Sequence, residues 1–228
     1  GMEAVRVGED LAELAFLVVP KMAPPFAFKP FFLEPVFVFH DESPSVRWAA
    51  LSYFEGVGPE ARPAVPTLIK IFQTDPEAGS RSSIARSLGE IGPDAKAAVP
   101  ILLKAQRDQM HVAEEAAKAI GKIGSPAVPA LVDSLQRGNE LTRVYAANLL
   151  GRIGPKAQEA VPLLINALRD ESADVRYATT RALGQIGPGA KEAVDALTNS
   201  LNDESVLVRR GAEYSLKQID PEAWASRQ

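Results

Sequence analysis

The chain has 228 residues, 46% of them apolar and 24% charged, with a net charge of −4 and an isoelectric point near 5.4. That balance suits a folded chain and excludes a general polyanion binder, whose basic surface must displace counterions. With no cysteine, disulfides, thiolate metal centres and cysteine nucleophiles are excluded as well.

Before residue 41 the chain is unlike the rest. Helical spacing predicts a helix over 9–19, and its apolar run at 14–20 is too short to span a bilayer. It leads into PFAFKPFFLEPVFVF, and seven of the nine phenylalanines precede residue 41. Pro25, Pro30 and Pro35 exclude a helix or a central strand there. So much aromatic surface has to be covered. One reading makes residues 1–40 a cap over the open end of the unit that follows. The other makes residues 20–40 a docking arm, for self-association with a second copy or for a different protein. No basic start leads into a cleavable apolar stretch, and a cytoplasmic location is the expectation.

From residue 41 to 220 the chain repeats itself. EGVGP at Pro59, GEIGP at Pro93, GKIGS at Ser125, GRIGP at Pro155, GQIGP at Pro188 and KQIDP at Pro221 recur at intervals of 34, 32, 30, 33 and 33 residues. An AVP phrase follows at Ala64, Ala98, Ala127 and Ala160, with AVDAL at Ala193. Each unit reads as helix, turn, helix. Asp41, Asp75, Asp170 and Asp203 precede the first helices, where a carboxylate accepts free N–H groups and suits the positive helix end. Gly58, Gly92, Gly124, Gly154 and Gly187 close those helices in the left-handed conformation, mostly with Pro following.

The apolar residues fall at helical spacing. Ala146, Leu150 and Ile153 share a face in the fourth unit, as do Val161, Leu164, Ile165 and Leu168 in its second helix. The place of Ala146 is taken by Ala50, Ile84, Ala116, Thr179 and Ala212 elsewhere, mostly small residues that let helices approach. Hairpins this thin cannot bury both faces, so they must stack. The expected fold is an all-α solenoid of about five hairpins plus a capping helix over 203–219, with a tail from 221 to 228. The third unit is shortened between Gly124 and Pro129, where a change of curvature is expected.

Arg47, Arg81, Arg143, Arg176 and Arg209 recur at one first-helix position, interrupted by Ala113. An arginine row suits phosphates. The aspartates share its period, however, so a structural ladder is expected, pairing these arginines with Asp41, Asp75, Asp170 and Asp203. Neither histidine, His40 or His111, is followed by Glu. His111 with Glu114 and Glu115 makes too few ligands for a transition metal, so neither metal nor cofactor is expected. Trp48, Tyr145, Tyr177 and Tyr214 lie on first helices and read as packing between repeats. No residue is assigned as acid, base or nucleophile.

VRWAALSYFEGVGP, VRYATTRALGQIGP and the AVPxL helix starts resemble the HEAT-like repeats of the phycobilisome-lyase type, over roughly 41–220. The resemblance implies a right-handed, armadillo-like α–α superhelix with the second helices lining its concave side. It implies a soluble scaffold that binds a protein, with no role for nucleic acid or membrane. The alternative it implies is a lyase-like or chaperone-like subunit acting on a pigment-carrying client. The paired His-Glu motifs of the HEAT-like deoxyhypusine hydroxylase are missing, and so is the basic groove of the HEAT-like DNA glycosylases.

Two rows on the second helices leave the leucine-rich stripe and are expected to point outward. They are Lys70, Lys104, Asp133, Asn166 and Asn199, and, a turn back, Thr67, Ile101, Ala130, Leu163 and Ala196. These are the expected partner-binding residues, with Ile101 and Leu163 as apolar anchors in a polar groove. Lys70, Lys96 and Lys104 come early, and Asp133, Glu159 and Asp195 come late. That gradient suits an extended partner whose acidic end lies near Lys70 and Lys104.

Overall fold

The computed structural model describes residues 56–225. The expectations for residues 1–40, and for Asp41, Arg47 and Trp48, lie outside the described residues. Within them the helices are, in chain order, α1 (Val65–Thr74), α2 (Ala78–Ile91), α3 (Val99–Lys104), α4 (Met110–Ile123), α5 (Val128–Arg137), α6 (Glu140–Ile153), α7 (Val161–Ala167), α8 (Ala173–Ile186), α9 (Val194–Ser200), α10 (Val206–Ile219) and α11 (Pro221–Ala225). The first helices of the units are α2, α4, α6, α8 and α10, each of 14 residues. The second helices are α1, α3, α5, α7 and α9. The stretch read as a tail opens with α11, which packs on α10 and half-buries Trp224.

The helix starts follow from local chemistry, with one correction. The aspartates sit outside the helices rather than capping them. Asp75 Oδ1 accepts the Glu77 N–H at 2.8 Å, and Asp170 and Asp203 accept the Ser172 and Ser205 N–H groups at 2.9 Å. Each closes a small turn that aims the chain into its helix. A cap of the expected kind stands at α6, where Asn139 accepts the Thr142 N–H at 3.0 Å.

The turns depart from the expected left-handed form. Gly92, Gly124, Gly154 and Gly187 have φ between 67° and 74°, but ψ lies between −137° and −142°. That combination is open essentially to glycine alone. A 3-10 stretch of seven residues follows in most units, such as Gly154–Ala160, and is cut to Ser125–Ala127 in the third. Pro then takes the second position of α1, α3, α5 and α7, where its missing N–H costs nothing.

The predicted stripes are buried. Ala146, Leu150, Ile153, Val161, Leu164 and Leu168 all lie in one core that runs from Ala61 to Ile219, with Ile165 half-buried. Each fully buried leucine contributes about 1.5–3 kcal/mol relative to exposure.

First helices approach one another far more closely than second helices do. The cause is a row of small residues. A Cβ added to Gly89 would lie 2.9 Å from Ala119 Cα, and one added to Gly151 or Gly184 would lie 3.0 Å from Ala182 Cα or Ser215 Cα. Interaxial distance is set by the side chains at the contact. A stack pinched on one side and splayed on the other bends toward the pinched side. The first helices therefore form the inner layer and the second helices the outer one. This corrects the expectation that the second helices line the hollow.

One junction differs from the rest. Between α4 and α6 the contact is much reduced, and α6 leans instead on α5. Leu149 stands there in the place of Ser87, Ala119, Ala182 and Ser215, and it is fully buried. Its bulk holds α6 off α4. Gly121, the counterpart of Gly89, accordingly has open space where a Cβ would go. The shortened Ser125–Ala127 turn belongs to the same junction. No described helix is long and apolar enough to cross a membrane.

Candidate partner-binding face

The arginine row is occupied within the molecule. Arg81 Nε and Nη2 donate to Asp108 Oδ2 and Oδ1 at 2.8 and 2.7 Å, and Nη1 donates to the Asp75 carbonyl at 2.7 Å. Arg176 repeats this with Asp203 at 2.8 and 3.0 Å and with the Asp170 carbonyl at 2.9 Å. Arg143 Nη2 reaches Asp170 Oδ1 at 2.8 Å, with Nε 2.8 Å from Oδ2 but out of hydrogen-bonding line. Each arginine thus ties the head of its own unit to the head of the next. Arg209 holds the Asp203 carbonyl at 2.6 Å. The rung Asp108 was not among the aspartates read from sequence, because the head of its unit is one residue shorter. Asp41 and Arg47 lie outside the described residues.

These bonds set the charge states. The guanidiniums beside Asp108 and Asp203 hold both carboxyls below the usual carboxylate range. At Asp170 burial works upward, but Arg143 and the Ser172 N–H outweigh it. At the α4/α6 junction Ala113 replaces the arginine and Gly138 the aspartate, so the rung is missing. In its place the Tyr145 hydroxyl donates to the Ala113 carbonyl at 3.3 Å and Gln106 Nε2 to Thr142 Oγ1 at 3.1 Å. Burial pushes the Tyr145 phenol up.

The two second-helix rows face the outer surface, unequally. Lys70, Lys104, Asp133, Asn166 and Asn199 are exposed, while Thr67, Ala130 and Leu163 are half-buried. Asp133 pairs with Arg137 at 3.1 Å. Ile101 is a correction: it is 8% exposed and belongs to the core. Helix α3 has six residues between two 3-10 segments, and Val99, Ile101, Leu102 and Leu103 are all buried, so no full outward face exists there. Leu163 and Asn166 border an outer hollow of about 470 Å³ with Gln136 and Arg169. Its remaining charged lining is Arg143, committed to the ladder with Asp170, and Glu171, which Arg143 also reaches at 3.4 Å.

The inner layer carries the unexpected surface. Among the described residues, the large apolar side chains that stand exposed are Met110, Leu141, Val206, Leu207 and Tyr214, all on first helices and each at least half exposed. Between α6 and α8 runs a cleft of about 380 Å³. Leu141, Val144 and Asn148 line it from α6, and Tyr177, Ala178 and Arg181 from α8. Their spacing of three and four residues puts each set on one helix face. Arg181 lies over the Tyr177 ring at 5.9 Å, a cation–π contact. Glu140 and Asp174 stand at the helix starts, where Glu140 accepts the Ser172 hydroxyl at 2.6 Å.

Tyr145 packs between repeats as read from sequence, but Tyr177 lines the cleft and Tyr214 stands 52% exposed. His111 is exposed, and no metal-holding cluster of His, Asp and Glu occurs among the described residues. One sequence signal points to the cleft. Leu141 and Val144 lie off the core stripe of α6, where α4 has His111 and Glu114.

The family model described as HEAT repeats matches residues 65–143 and 128–217. A second model, of a HEAT repeat associated with sister chromatid cohesion, matches residues 39–52, outside the described residues. A solved structure from microtubule plus-end tracking by XMAP215, CLIP-170 and EB1 is 17% identical, covers 87% of this chain and 95% of that one, and has a TM-score of 0.62. The complex of CpcE and CpcF of phycocyanin lyase from Nostoc sp. PCC7120 is 21% identical, covers 67% and 97%, and scores 0.46. An engineered protein at 22% identity covers 84% and 97% and scores 0.45. The first likeness is one of fold, and the other two are too loose to carry more. No curated protein matches the chain.

Proposed function

The chain belongs to the HEAT-repeat family, and from that premise we propose that it is a protein-binding scaffold whose contact face is the inner layer of first helices. One observation carries this reading: every large apolar residue described as exposed lies on that layer. Exposed apolar groups gathered on one face mark an interaction site. A few anchors seated in pockets supply most of the binding energy of such a face. The α6/α8 cleft, with Leu141 and Tyr177, offers such a pocket.

Partner capture by the intact chain, by Leu141→Asp/Leu207→Asp and by Lys70→Glu/Lys104→Glu tests the assignment. Loss in the first variant and retention in the second is expected. The reverse result moves the site to the outer layer and ends the reading. The narrower reading, a lyase-like or chaperone-like subunit for a bilin-carrying client, stands on the sequence resemblance alone. Titration with a free tetrapyrrole tests it, and an unchanged absorbance band removes it.

A further inference from the structure

The inner face has two electrostatically different halves. Over α2 and α4 its charges satisfy one another. Arg86 pairs with Glu115 at 3.3 Å, Lys118 with Glu115 and Glu114 at 2.9 and 3.0 Å, and Lys122 with Glu90 at 2.5 Å. Over α6, α8 and α10 Lys217 pairs with Glu213 at 2.6 Å, but three arginines of this face stay unneutralised. Arg152, Arg181 and Arg210 are exposed and have no carboxylate partner among the described residues. Arg181 is steadied by the Tyr177 ring. A chain with net charge −4 thus keeps three guanidiniums free of carboxylates on this half of the inner face, and one of them, Arg181, lines the apolar cleft.

We propose that the α6–α10 half of the inner face binds an extended, acidic protein segment carrying an apolar or aromatic anchor side chain. The inference rests on the inner-face reading above. The anchor enters the cleft between Leu141, Val144 and Tyr177. Carboxylates of the segment meet Arg152, Arg181 and Arg210. The segment is extended because the three arginines sit on successive helices, and a chain crossing those helices reaches all of them. Guanidinium suits this task because its planar fork pairs with a carboxylate at two points. Stacking on Tyr177 holds one fork in place beforehand, which lowers the ordering cost of binding. The cleft also has a direction. Asp174, without a partner among the described residues, and Glu140 stand at the starts of α8 and α6, and Arg181 stands about two turns further along, so the carboxylate that meets Arg181 lies on the side of the cleft away from those starts.

A phage-displayed random peptide library, panned in parallel on the intact chain, on Arg152→Glu/Arg181→Glu/Arg210→Glu and on Leu141→Asp, tests this. All four positions are exposed, so folding should persist, and circular dichroism checks it. The expected pool from the intact chain is rich in Asp and Glu around an apolar residue. A selected peptide should bind the triple variant about tenfold more weakly or worse, and should also lose affinity to Leu141→Asp. A pool without acidic bias that Leu141→Asp abolishes overturns this inference and leaves the inner-face reading standing. A pool indifferent to all inner-face changes sinks both, as does an empty pool. Displacement of the peptide by a single-stranded oligonucleotide, with Leu141→Asp silent, assigns the arginines to a polyanion and likewise overturns the inference.

Discussion

Removing Arg176 is the sharpest test of how the units are joined. Its guanidinium makes two bonds to Asp203, two to the Asp170 and Glu171 carbonyls and one to Glu204. Glu204 is 85% exposed, so water replaces it freely and that bond contributes little. The rest differ, because Arg176 and Asp203 side chains are only 9% and 13% exposed. Breaking a buried pair from one side costs about 3–5 kcal/mol, since the remaining carboxylate stays desolvated. Water reaches the edge of Asp203, so Arg176→Ala should fall near the low end, about 3 kcal/mol. Arg137→Ala removes a pair that is largely in water and should cost no more than about 0.5 kcal/mol.

Urea unfolding followed by circular dichroism compares the two. Hydrogen exchange of α8 and α10 guards against a split transition. Equal losses in both variants would refute the ladder as a stabilising element. The pH dependence has a definite sign. Arg176 holds the Asp203 carboxyl below its ordinary value. Its contribution is therefore full above about pH 4 and is lost as pH falls through the lowered folded value. Arg176→Ala should flatten that acid limb.

Three further outcomes follow from particular contacts. Gly121→Ala, with open space around it, should stabilise by up to about 1 kcal/mol, whereas Gly151→Ala meets Ala182 Cα at 3.0 Å and Gly154→Ala must adopt φ 67°, so both should lower the thermal midpoint. Ile101→Glu buries a charge in the core and should unfold the chain at lower urea without selectively abolishing binding. At the α4/α6 junction, with its missing rung and its leucine wedge, native-state exchange should show residues up to Ile123 and residues from Val128, where α5 packs on α6, opening as separate units. A single common opening across α4 and α6 would contradict that.

The sequence by itself determined the period, the helices and the turns. Each is written in neighbouring residues: the Gly-Pro ends, the AVP starts, the stripe of Ala146, Leu150 and Ile153. It also carried the rungs Arg143–Asp170 and Arg176–Asp203, because two residue types sharing one period can meet in every unit. Asp108 escaped this arithmetic through a one-residue difference in spacing. Only the tertiary structure decided which layer is inner. That choice depends on how closely Gly89, Gly151 and Gly184 let neighbouring helices approach, a distance between residues about thirty positions apart. It also decided that Ile101 is core and Leu141 surface. Both are apolar residues on helices, and what separates them is whether an adjoining unit covers them.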